Sequence, residues 1–322
     1  MPKGVFTISL DFELFWGVRD HRTLEGYGLN IAKVQEVVPA LLSLFERYGV
    51  HCTWATVGFL FHENKEALME KWPATLPHYL RKEYDPYPYI KDQPLEPVYH
   101  FAPHLIQQIR QSPGQEIGTH TYCHFYALEK DTTSEQFRAD LVAAIEVAHE
   151  KGIPIHSIIF PRNQYGPVHI SICEELGIKV FRGNEESSVY RPLSREEENS
   201  FRRAVRLADA YLNITGHHTH AWPKPAPIIN VPASRFLRPW SSSLSFLDPL
   251  RFRRIRKSMW HAADQGHIYH LWWHPHNFGS HTEKNIEFLE RILKEYSIAR
   301  EKGQMESLNL SEIYERTNFT RN

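Results

Sequence analysis

The chain has 322 residues and a mass of 37.8 kDa, the upper size of one α/β barrel or of two average domains. Lys+Arg 37 against Asp+Glu 38 leaves a formal charge of −1, which excludes a nucleic-acid protein that works through net charge. Mean hydropathy is −0.47 and charges interrupt every long apolar stretch, which excludes a membrane span of about 20 residues; three cysteines without a CxxC pair exclude a disulfide framework.

Residues 5–10 alternate and are rich in β-branched and aromatic types, so a strand begins the chain. No basic segment followed by an apolar run precedes it, and the expectation is a cytosolic protein. The spacing of Val34, Val37, Val38, Leu41, Leu42 and Phe45 predicts a helix over 31–48, closed by Gly49. Strands follow at 51–57, 116–119, 155–160, 179–182, 228–231 and 268–273. Helices alternate with them at 99–111, 134–151, 168–176 and 249–265, and two more close the chain at 283–301 and 311–316. This alternation implies a parallel sheet with helices outside. About seven strands suggest a deformed (β/α) barrel filling one domain over residues 1–322. Residues 71–97 and 216–248 break the rhythm and read as long loops over the C-terminal rim.

Four stretches carry chemistry. Alternation along Thr7–Glu13 puts Thr7, Ser9, Asp11 and Glu13 on one face, so two carboxylates meet where α/β barrels place their active sites. An acidic turn past a strand end is the plain alternative. His120 and His124 form HxxxH after a strand; a helical turn there would stack them on one face, and two imidazoles plus one carboxylate make a catalytic zinc set. The same spacing in His100 and His104 falls on an outer helix and reads as surface or core. At the end of the next strand, the Arg162 guanidinium could lower a neighbouring carboxylate's pKa, with Asn163 and Gln164 beside it; a solvated polar loop is the alternative. Trp272 and His274 alternate out of the last long strand, and His274 is placed to give a proton near neutral pH, with His276 next in line.

The order of carboxylate pair, HxxxH, Arg loop and late His resembles the NodB-homology polysaccharide deacetylases, carbohydrate esterase family four. Cys52–Gly58 is similar to the family's second strand and its closing glycine. The resemblance spans nearly the whole chain. It implies a divalent metal, zinc by default, on His120, His124 and one carboxylate, and hydrolysis of an N-acetyl or O-acetyl group. By the family's pattern Asp11 is the base and Glu13 the ligand. The chain departs from that pattern in its Asp-x-Glu pair, its Phe-Pro-Arg-Asn-Gln loop and the absence of a clear fourth motif, for which Glu185 and Glu186 are the candidates.

The mechanism so implied has Asp11, oriented by Arg162, taking a proton from water and His274 protonating the departing amine. Asn163 and Gln164 would contact substrate, as would Trp16, Trp272 and His276; Trp222 and the Tyr84, Tyr87, Tyr89 cluster are further stacking candidates. A cytosolic enzyme would meet a nucleotide- or lipid-linked sugar of surface-polysaccharide synthesis. Arg251, Arg253, Arg254, Arg256 and Lys257 put five cations on one helix, a possible contact with an anionic membrane surface or, more simply, a solvated face. The competing readings are a ureide hydrolase or deformylase on the same fold, or an inactive carbohydrate-binding relative.

Overall fold

The structure, a computed structural model, describes residues 2–191, 193, 197 and 199–319. Its frame is a set of parallel strands: β1 (Gly4–Phe12), β2 (Cys52–Thr56), β3 (Gln115–Thr119), β4 (Ser157–Ile159), β5 (Val180–Arg182), β6 (Ile229–Asn230), β7 (Arg235–Phe236), β8 (Ile268–Trp273) and β9 (Met305–Ser307). They are ordered β6-β5-β4-β3-β2-β1-β8-β7, with β9 against β1. β1 lies in register with β2 from Ile8↔Cys52 to Phe12↔Thr56, and with β8 from Val5↔Ile268 to Leu10↔Trp273.

The sheet curls until its two edges share one segment. Ile229, Val231 and Ala233 donate backbone hydrogen bonds to Lys179, Phe181 and Gly183, and then Ser234 and Leu237 donate to His270 and Trp272. Counted as one strand position, residues 229–237 make the seventh stave of a deformed barrel, as the alternation implied. The strand expected at 228–231 is present, and the rim loop expected after it is corrected, because residues 233–237 are also barrel wall. The β-propensity signal stopped at 231 because Pro232 and the short polar residues after it hide a strand that changes partner.

Alternation along β1 decides what faces where. Phe6, Ile8, Leu10 and Phe12 are fully buried against the surrounding helices. Thr7, Ser9 and Asp11 face the barrel interior, whose lower part is filled by a second apolar cluster that includes Val5, Val180, Ile229 and Ile313. The helix expected over 31–48 is two, Leu24–Ala32 and Val34–Tyr48, the second ending at Gly49 in the left-handed region with φ 62°. The helix expected over 99–111 is likewise split into Pro97–His100 and Pro103–Gln111, where Pro103 restarts it. Among the described residues no helix is long and apolar enough to cross a membrane.

Candidate metal and hydrolytic site

All strands of the barrel point the same way, so the residues that end β1, β3, β4, β5 and β8 arrive at one rim. Asp11 and Glu13 are each 3% exposed there. Glu13 opens a short 3-10 turn, Leu14–Gly17, and Gly17 lies so close over it that a Cβ would overlap its carboxylate. Four imidazole Nε2 atoms surround that carboxylate. His124 and His120 stand 3.0 and 3.4 Å from Oε2, and His276 and His274 stand 3.3 and 3.7 Å from Oε1. Among the described residues no Lys or Arg pairs with Glu13. Burial pushes its carboxyl up, but His274, His120 and His124 outweigh this and hold it well below the ordinary value.

The segment after β3 is a loop rather than the helical turn that HxxxH suggested. Thr121 and His124 both have φ 63°, and this irregular path brings the two rings to 5.0 Å between centroids. Asp140, fully buried on the helix Ser134–Glu150, accepts from the Tyr122 and Cys123 backbone N–H groups at 2.7 and 3.1 Å and so anchors the loop. The His120 Nδ1–H donates to the Ile159 carbonyl at 2.7 Å, which fixes the ring with Nε2 toward Glu13. Burial drives the His124 imidazole down in pKa despite the opposing Glu13 charge. The donor set of one carboxylate and two imidazoles fits a divalent cation.

Arg162 does not orient Asp11. Its guanidinium pairs with Asp20 and lies 3.6 Å from Glu129, over the rings of Tyr126 and Tyr84. The reason is backbone: Arg162 and Asn163 both have φ 54°, and the side chain turns away from β1. Arg182, the last residue of β5, takes the position instead. It donates to both Asp11 oxygens at 2.7 and 2.9 Å, to Ser9 Oγ at 3.0 Å and to Asn163 Oδ1 at 3.0 Å, with Trp272 stacked beneath it. Burial pushes Asp11 up, and Arg182, His120 and His274 bring it below its ordinary value. The alternation rule applied to 179–182 would have found Arg182, since its strand ends at the same rim.

His274 follows β8 and is held by Asn277, Nδ1 to Oδ1 3.1 Å; its Nε2 lies 3.7 Å from Asp11. Its side chain is 23% exposed, in contrast to the other three histidines, and it faces a cavity of about 340 Å³ together with Asp11, Glu13, Asn163 and Trp272. His276 is 3% exposed, and burial pushes its pKa down to about 3. It lines the same cavity beside Glu13.

Other expected substrate contacts lie elsewhere. Trp16 is 3% exposed, donates to the His100 carbonyl at 2.8 Å and packs on Phe59, so it belongs to the core. Gln164 is buried and bridges Glu129 and Leu128, which makes it a brace of the loop. Tyr87 is core and Tyr84 lies under Arg162. The five-cation stretch is divided: Arg253, Arg256 and Lys257 are exposed, and two of the five turn inward. Arg251 and Arg254 are buried, paired with Asp248 and Asp209, and Arg256 pairs with Glu295 at 3.0 Å.

The chain is thus a parallel barrel with two carboxylates and clustered imidazoles at its C-terminal rim. Residues 25–181 match the model of the polysaccharide deacetylase family, which bears out the resemblance read from the motifs. That segment holds His120, His124 and Arg162; Asp11, Glu13, Arg182 and His274 lie outside it. The fold is similar to a protein described as a polysaccharide deacetylase from Mycobacterium smegmatis, at TM-score 0.62 and 13% identity over 98% of this chain and 91% of that one. It is also similar to one from Pseudomonas aeruginosa PAO1, at 0.56 and 13% over 99% and 92%. An allantoinase shares it at 0.55 and 12% over 99% and 91%. No curated protein matches the chain.

Proposed function

We propose that residues 1–322 form one catalytic domain, a divalent-metal-dependent hydrolase that removes an acetyl group from an N-acetylated, or O-acetylated, sugar carried on a nucleotide or lipid. The convergence of Glu13, His120 and His124 beside an Arg-held Asp11 carries this reading. Glu13, His120 and His124 would hold the cation, and zinc suits one oxygen and two nitrogen donors. When bound, that ion supplies Lewis acidity at the reacting carbonyl and water. Asp11 accepts the proton of the attacking water, its rotamer set by the two-pronged Arg182 contact. The Asn163 side chain, whose Oδ1 is taken by Arg182, is left to donate through Nδ2 to the developing oxyanion. His274, fixed at Nδ1 by Asn277, gives the Nε2 proton to the departing nitrogen.

The test combines metal content with turnover on acetylated sugars and on cyclic ureides. His120→Ala should lose both metal and activity. His274→Ala should keep the metal and lose about 10²- to 10⁴-fold in kcat, the usual contribution of a general acid. Hydrolysis of ureides with no action on acetylated sugars would replace the substrate class, and full activity without metal would remove the mechanism.

A further inference from the structure

A second cavity, of about 280 Å³, adjoins the first. Arg162, Asn163, Phe236, Trp272 and His274 line both, so one continuous cleft runs from the carboxylates into it. Its other polar lining is mostly cationic: Arg191, Arg206, Arg235 and Arg238, with Glu185 as the one carboxylate among its described residues. Glu185 is buried, and burial raises its carboxyl pKa against the pull of Arg235 and Arg182. Arg162 and Arg235 have acids of their own, Asp20 and Asp209. Arg238 has none: among the described residues no carboxylate pairs with it. The charged and phenolic groups that act on it are Tyr211, Tyr190, Arg206 and Arg235. Crowded guanidinium groups repel and are costly to desolvate unless an anion joins them. Neutral sugar hydroxyls do not repay that cost, whereas phosphate oxygens accept paired N–H donors from several arginines at once.

Resting on the function proposed above, we infer that this cavity takes the phosphate or diphosphate through which the acetylated sugar is linked, with Arg238 as its principal contact. The sugar would then span Trp272 and Phe236, and its acylamino group would reach Asp11 and His274. A nucleotide and a lipid carrier share this chemistry.

Binding of inorganic pyrophosphate, measured by calorimetry on the wild-type chain and three variants, tests the inference. Arg238→Ala should weaken binding by about tenfold or more, the loss expected for a charge-assisted contact. Arg191→Ala, at an exposed position, should weaken it without endangering the fold. His120→Ala should leave it unchanged, which separates this cavity from chelation at the metal ligands. A uridine diphosphate arm and a farnesyl diphosphate arm should both compete with pyrophosphate, and the tighter one identifies the carrier. Absence of saturable binding, or binding equally strong in Arg238→Ala and Arg191→Ala, would overturn the inference. So would a cleft that takes galacturonate and not pyrophosphate. None of these measurements needs turnover, so failure to hydrolyse any acetylated sugar would sink the proposed function while leaving this binding intact.

Discussion

At the scale of single residues, two arginines near the rim separate chemistry from support. Arg182 touches Asp11 through both guanidinium prongs, so Arg182→Ala should lower kcat about 100-fold with KM little changed, the scale of a lost preorganising contact. Arg182→Lys should not rescue it, because an ammonium cannot hold both carboxylate oxygens. Arg162 instead neutralises Asp20, whose side chain is 1% exposed. Arg162→Ala should leave more of kcat but cost roughly 3 kcal/mol of stability, as when one partner of a buried pair is removed. Equal kinetic losses in both would refute this division. Gly17 poses a third case, since its missing side chain makes room for the Glu13 carboxylate. Gly17→Ala should displace that carboxylate and weaken metal affinity about tenfold or more while the far-UV CD spectrum is unchanged. Equilibrium dialysis against zinc would read this directly.

At the scale of elements, long amphipathic helices and the first strand were legible because burial follows period there: Val34 through Phe45 and Phe6 through Phe12 each report one apolar face. Breaks were not. Lys33 divides a continuous periodic run, and residues 234–237 pair with β8 under no hydrophobic pattern. His120 and His124 were legible as a spacing, yet the loop that joins them depends on Asp140, 16 residues downstream of His124, which no local rule connects to it. Long-range anchors of this kind recur at Asp209. It ends the helix Ser200–Asp209, contacts Arg235 of β7 at 3.2 Å and Arg254 of the helix Asp248–Gln265 at 3.6 Å, and is fully buried. Burial raises its carboxyl, but Arg235, Arg254 and Thr215 bring it down to about 2. A folded value below the unfolded one, about 3.9, means the stabilisation is whole above that pH and is lost as pH falls toward 2. The shift is worth about 2–3 kcal/mol. Asp209→Asn should therefore lose that much in urea unfolding at pH 7, and the gap from wild type should close on acidification toward pH 2. A gap that persists there would show that the loss is steric rather than electrostatic.

For the whole molecule, the site is a product of closure. Asp11 lies on the first strand and Glu13 just past it, His274 just past the last long one, and residues 229–237 tie the two sheet edges together. The stretch with the strongest family likeness, 25–181, holds neither the first strand nor β8, and ends one residue before Arg182. β1 sits between β2 and β8, with Phe6, Ile8, Leu10 and Phe12 each 0% exposed. Burying each of those side chains contributes roughly 1.5–3 kcal/mol, so their removal forfeits about 6–12 kcal/mol. That is comparable to the entire stability of a typical domain, about 5–15 kcal/mol. It would also expose β2 as an unpaired edge. Expressed alone, residues 25–181 should therefore show no cooperative thermal transition and no near-UV CD signal, and should bind zinc weakly because Glu13 is absent. The full chain should show all three properties. A sharp transition in the fragment would mean that the half carrying HxxxH folds without β1, and that barrel closure positions the acid and base without holding the fold together.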